Sequence, residues 1–184
     1  MSELVADLFV SLDGFAGGDD VGPFFGYAGP ELDGWIGEHL SEPQRVVLGR
    51  RTYEALARIS AAAPDPGSRR LTALPKLVAS RTLDEPLEWE NATLLRGDAL
   101  EALAALKRDS EAQLRTMGSM SLVRSLLGAG LVDRLRLAVF PLLLGERGRE
   151  PAFEGVAHEG LVLADTQVLD RRVVVLEYRP VTEA

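Results

Sequence analysis

Val46-Val47-Leu48-Gly49-Arg50-Arg51-Thr52-Tyr53-Glu54 decides how this chain is read. It opens as a short apolar β-run, breaks at a glycine, passes two arginines and enters a helical pattern at Thr52. A strand that ends in Gly and feeds a helix turns free backbone N–H groups and the positive end of the helix dipole toward one point. Two guanidinium groups beside that point can add forked, charge-assisted hydrogen bonds to phosphate oxygens. The stretch suits the phosphates of a dinucleotide. It also suits an ordinary β–α turn with two solvated arginines, because a lone Gly-rich turn is a weak signal.

Two further stretches have the same form. Pro75-Lys76-Leu77-Val78-Ala79-Ser80 reads as a strand ending in the polar, basic turn Ser80-Arg81-Thr82. Gln113 to Met117 reads as a strand ending in Gly118-Ser119-Met120-Ser121, followed by a helix through Leu122, Val123, Leu126 and Leu127. In open α/β sheets, ligands bind beyond the carboxyl ends of the parallel strands. Arg50, Arg51 and Arg81 together supply more positive charge than a pyrophosphate requires. The surplus points to an additional 2′-phosphate, hence NADP rather than NAD.

Around these stretches strands and helices alternate. Leu4 to Val10 is a buried first strand, and Pro30 to Leu40 is a helix with Leu32, Trp35, Ile36 and Leu40 on one face. The helix from Thr52 stops before Pro64, and Ala63 to Ser68 is a loop. A short strand follows at Thr93 to Leu95. Asp98 is an N-cap for a helix ending near Lys107-Arg108. Val132 to Phe140 alternates Leu135, Leu137 and Val139 against Arg134 and Arg136. Glu146 to Glu154 is a charged loop with Phe153 as an apolar plug. Leu161 to Leu169 and Arg172 to Tyr178 form a hairpin. The order predicts a single α/β domain over residues 1–184: a mostly parallel central sheet with helices on both faces and a C-terminal antiparallel hairpin.

Composition narrows the function. The 184 residues carry a net charge of −8 and no basic run, a poor match to nucleic acid, so an anionic ligand needs a local positive site. The absence of cysteine excludes disulfides, thiolate metal sites and thiol nucleophiles, and suits a cytoplasmic protein. With only His39 and His158, both read as surface residues, no metal centre is expected. No apolar run approaches the roughly 20 residues of a membrane span, and the acidic N-terminus does not match a signal peptide.

Ser11 to Asp20 is a long Gly/Asp-rich loop whose Phe15, Ala16 and Gly17 can lie along a flat ligand, or form a plain turn at Asp13-Gly14. Asp33 opens the first helix. It can complement the helix dipole or, if burial raises its pKa, pass a proton to a substrate.

In order along the chain, Ser11-Leu12-Asp13-Gly14, Leu48 to Glu54, Val78 to Thr82, Gly118-Ser119…Leu126-Leu127…Gly130-Leu131-Val132-Asp133 and Pro141…Leu144-Gly145 resemble one family. It groups the reductase domain of the bacterial bifunctional riboflavin-biosynthesis deaminase-reductase with dihydrofolate reductase. The resemblance runs from about Leu4 to Tyr178, and this chain is similar to the stand-alone members without a zinc deaminase domain. It implies the three-layer dihydrofolate reductase-like fold, NADPH as cofactor, a pyrimidine or pterin-like heterocycle as substrate and, in many members, a homodimer. It also implies that Gly49, Arg50, Arg51 and Thr52 hold the pyrophosphate and adenosine side. Ser80, Arg81 and Thr82 would take the 2′-phosphate and adenine. Gly118, Ser119, Met120 and Ser121 would approach the pyrophosphate from the other side, with Phe15, Ala16 and Gly17 along the nicotinamide. Where dihydrofolate reductase has a Gly-Gly pair before the third turn, this chain has Met117-Gly118. Asp33 falls where dihydrofolate reductase keeps its acidic substrate residue.

Overall fold

The computed structural model describes residues 2–62, 64–157 and 160–181. Its centre is an eight-stranded sheet in the order β5-β4-β3-β6-β1-β7-β10-β9. The strands are β1 (Leu4–Ser11), β3 (Gln44–Gly49), β4 (Lys76–Ala79), β5 (Ala92–Leu95), β6 (Gln113–Met117), β7 (Arg134–Phe140), β9 (Leu161–Leu169) and β10 (Val173–Pro180). Six run parallel, and β10 and β9 add an antiparallel edge beyond β7. A separate two-stranded ribbon pairs β2 (Phe15–Gly18) with β8 (Gly148–Pro151).

The side-chain period of two divides each inner strand between two cores. Leu4, Ala6, Leu8 and Val10 of β1 pack under α4 (Ala99–Asp109) and α5 (Met120–Gly128). On the opposite face, Val46, Leu48 and Val78 meet Tyr53 of α2 (Arg50–Ala62) and Leu71 of α3 (Pro66–Ala73). Ala138, Phe140 and Val175 meet Leu32 and Trp35 of α1 (Pro30–His39) on that same side. The result is the three-layer α/β arrangement that the alternation predicts.

Local differences have physical causes. α2 begins at Arg50, not Thr52, so both arginines lie in its first turn. The Ala63–Ser68 loop is shorter than expected. Asp65 accepts from the Gly67 and Ser68 amides at 2.8 and 3.1 Å, Pro66 fills the first helical position, and α3 starts there. Ala63 and His158 lie outside the described residues. His39 is half-buried rather than on the surface: its ring lies 4.3 Å from that of Trp35, and burial lowers its pKa.

Alternation between Leu and Arg in β7 suggests a solvated arginine face, yet Arg136 is buried. Asp7 of β1 lies between Arg136 of β7, whose Nε donates to it at 2.7 Å, and Arg115 of β6, which also donates to it. Both β1 faces are covered, so this carboxylate needs partners on its neighbouring strands. Burial lowers the Arg115 pKa and Asp7 opposes that shift. Lys76 is also buried, and its ammonium donates to the Leu71, Thr72 and Leu74 carbonyls at the end of α3.

Candidate functional site

β4, β3, β6 and β1 are consecutive in the sheet, so the four segments singled out in the sequence leave one edge side by side. From β3 the chain turns into α2 on one face. From β6 it turns into α5 on the other. Adjacent parallel strands whose helices diverge open a crevice at the carboxyl edge, the place where α/β sheets bind ligands.

The two turns at this crevice are tightly apposed. A Cβ on Gly49 would lie 1.9 Å from the Ser119 hydroxyl oxygen and 2.9 Å from the Ser119 Cβ. Gly118 and Ser119 both adopt left-handed backbone, at φ of +78° and +68°. That conformation is costly for Ser119 and sharpens the entry to α5. The three other helices with described caps and acidic partners differ here. α3 and α4 are capped by Asp65 and Asp98. α1 takes its cap from Asp170, which accepts from the Glu31 and Leu32 amides at 3.1 and 2.9 Å, while Glu31 accepts from the Asp170 amide. α5 has no side-chain cap, and neither α2 nor α5 carries an acid in its first turn. Among the described residues of the five α-helices, the positive ends without a resident carboxylate are therefore the two that face the crevice.

The arginines differ in state. Arg50 pairs with Glu54 one turn along α2 at 3.5 Å. Arg51 pairs with Glu150 of the ribbon at 2.9 Å. Arg81 is exposed and makes no ion pair among the described residues. The Ser80 hydroxyl accepts from the Thr82 and Leu83 amides at 3.2 and 3.1 Å, so it shapes its own turn. Thr52, Met117 and Met120 are half-buried beside the crevice, and Ser121 is exposed.

The Ser11–Asp20 segment is not a free loop. Phe15, Ala16 and Gly17 belong to β2, and the Phe15 ring sits where a Gly148 side chain would be, 2.6 Å from an ideal Cβ. Asp13 accepts from the Ser11 hydroxyl and from the Leu144 and Gly145 amides, the latter at 2.8 Å. The Ser11 hydroxyl bond, followed by the backbone donors, brings its pKa to about 2. Asp13 thus joins the ends of β1 and β7. No sequence pattern announced β8 or this tie, because each pairs residues 130 or more positions apart. Asp33 is exposed in the first turn of α1, so the burial that a proton-passing role requires is absent. Phe153, expected as a plug, forms one wall of a cavity of about 450 Å³ with Leu127, Leu135, Leu137, Val156 and Tyr178, away from the crevice.

A family model for the RibD C-terminal domain matches residues 2–175. The chain belongs to this family. The RibD C-terminal domain described here is 25% identical over 181 residues to the uncharacterized protein YyaP of Bacillus subtilis (strain 168), covering 95% of this chain and 93% of that one. Its fold matches a pyrimidine reductase-like protein of Corynebacterium diphtheriae, with TM-score 0.69 and 17% identity over 99% of this chain and 93% of that one. It also matches Acinetobacter baumannii RibD, with TM-score 0.71 and 16% identity, covering 98% of this chain and 58% of that longer one. At such identities the structural likeness speaks for the fold. The family match covers every segment of the crevice, from Phe15 to Ser121. Among the described residues, no cluster of metal-ligating side chains occurs and no helix is long and apolar enough to cross a membrane.

Proposed function

We propose that this RibD C-terminal domain is an NADPH-dependent reductase of a pyrimidine or pterin-like heterocycle, of the 5-amino-6-(5-phosphoribosylamino)uracil reductase type. The observation that carries the reading is the apposition of Gly49 and Ser119. It brings two helix N-termini without resident carboxylates to one crevice, a fit for a pyrophosphate. Gly49, Thr52, Gly118, Ser119, Met120 and Ser121 would line the pyrophosphate, with Met117 beneath them. Arg50 and Arg51 would neutralise it. Arg81, the one of these three arginines without an ion pair among the described residues, would take the 2′-phosphate beside Ser80 and Thr82. The ribbon residues Phe15, Ala16 and Gly17 would exclude water from the nicotinamide end. NADPH supplies the hydride; the protein's part is to hold and orient it.

Fluorescence titration with NADPH and NADH tests the reading. Arg81→Ala should weaken NADPH about tenfold or more and leave NADH nearly unchanged, since a charge-assisted contact to phosphate is worth about 1.5–3 kcal/mol. Equal losses for both cofactors, or no binding of either, would refute it.

One observation favours a second reading, an NADP(H)-binding protein without turnover. Asp33, the candidate for proton passing, is exposed, and the nearby loop carboxylate Asp13 is committed to the loop tie, so neither is a sheltered proton donor. NADPH oxidation with the ribosylaminouracil substrate, compared with dihydrofolate, decides between pyrimidine reduction, dihydrofolate reductase-like activity and binding alone.

The proposed assembly is a homodimer through the β9 edge. β9 is exposed along all but its last residue, and Leu161, Val162, Leu163 and Val168 present apolar surface there. An uncovered edge of this kind invites another copy of the chain. Sedimentation of Leu163→Glu as a monomer, beside a dimeric wild type, would support it; a monomeric wild type would end it.

A further inference from the structure

We propose that Glu150 is an admission latch for the dinucleotide: its ion pair with Arg51 closes the mouth of the crevice, and an incoming phosphate opens it by taking Arg51. The proposal rests on the cofactor reading above and adds regulation to the same site.

The contact joins two walls of the crevice. Arg51 belongs to the first turn of α2, after β3. Glu150 belongs to the ribbon formed by the segments that follow β1 and β7. β6 lies between β3 and β1, so a bond from one wall to the other crosses the Gly118-Ser119 turn and the N-terminus of α5. On that strand order the 2.9 Å Arg51–Glu150 pair spans the proposed anion seat.

Glu150 holds a left-handed backbone, at φ of +57°, while its neighbours are tied down on both sides. The Ala152 amide donates to the Gly14 carbonyl at 2.9 Å, and Arg124 of α5 donates to the Ala152 carbonyl at 3.3 Å. Arg149 pairs with Asp19 across the ribbon. The strained residue is the one whose side chain reaches the opposite wall, and such strain persists only where the surroundings enforce it. Both partners are well exposed, at 80% and 47%, so the pair is weak and opens readily. A phosphate carries more charge than a carboxylate and accepts a forked pair of bonds from the guanidinium, so it competes favourably for Arg51. Arg50 pairs instead along its own helix with Glu54, at 3.5 Å.

The test has one arm without cofactor and one with it. Without cofactor, Glu150→Gln and Arg51→Gln should each speed amide exchange in the Gly148–Ala152 segment, and the double variant should add nothing further. With NADPH, stopped-flow association should be roughly two- to fivefold faster for Glu150→Gln at low salt, the change an exposed ion pair is worth, and the gain should vanish at high salt. Glu146→Gln removes the same charge nearby and should leave the rate nearly unchanged. Unaltered exchange in both single variants, or an equal rate gain from Glu146→Gln, would overturn the latch while leaving the cofactor reading intact. Failure of NADPH to bind wild type and Glu150→Gln alike would overturn the cofactor reading, and the admission role with it, whatever the exchange data show.

Discussion

Ser119 stands so close to Gly49 that a Cβ built on Gly49 would lie 1.9 Å from its hydroxyl oxygen. Gly49→Ala therefore forces the two turns apart. The hydroxyl can rotate away, but the Ser119 Cβ at 2.9 Å cannot. Overpacking of this kind costs about 1–3 kcal/mol. Urea denaturation should show that loss, and adding Ser119→Gly should recover at least half of it. No recovery would mean that the strain lies elsewhere.

Asp170 caps α1 from the β9–β10 turn, about 140 residues away, and Glu31 answers by accepting from the Asp170 amide. Asp170→Ala removes a cap worth about 0.5–2 kcal/mol. The expected signature is a lower melting temperature together with faster amide exchange at Glu31 and Leu32. Gly29→Ala should mimic it, because its Cβ would sit 2.4 Å from the Asp170 carboxylate. Wild-type exchange rates in both variants would rule out the cap.

The Asp13 tie should depend on pH in a defined direction. Its folded pKa of about 2 lies below the ordinary 3.8, so the folded state favours the carboxylate. The tie contributes fully above the ordinary value and is lost as pH falls from there through about 2. A carboxyl NMR titration should place the Asp13 midpoint near 2. In Asp13→Asn, the Leu144 and Gly145 amides should exchange quickly at every pH. An ordinary midpoint for Asp13 would disprove the assignment.

Asp7→Asn leaves Arg115 and Arg136 buried without their shared counter-ion. Breaking a buried pair this way costs about 3–5 kcal/mol. Replacing Asp7, Arg115 and Arg136 together with apolar residues should recover most of that, because no charge then stays uncompensated. Chemical denaturation of the single and triple variants separates the outcomes, and a loss below about 1 kcal/mol for Asp7→Asn would contradict the network.

Much of the frame could be read from local pattern. Val46 to Gly49 and Leu77 to Ala79 are short apolar runs, Gln113 to Met117 is a short mixed one, and each is a parallel strand that runs into a Gly or Ser turn at one edge. Leu32, Trp35 and Leu122 to Leu127 fall at helical spacing and are the buried faces of α1 and α5. These signals are local because helix and strand periods are properties of consecutive residues.

What bonds where was not legible in the same way. Asp7 with Arg136, Asp13 with Leu144, Asp170 with Leu32 and Glu150 with Arg51 are each about a hundred or more positions apart. A carboxylate's partner depends on which strand lies next to it and which face is covered, and no local pattern encodes either. By itself, the sequence determined the α/β layering, the strand-end turns and the excess of arginine around them. Only the tertiary structure decided that β3 and β6 are neighbours whose helices diverge, that Asp13 is spent on a loop tie, and that Arg51 already has a carboxylate partner. The physical reason is that periodicity specifies an element's buried face, whereas burial and long-range pairing decide which charged groups are left for a ligand.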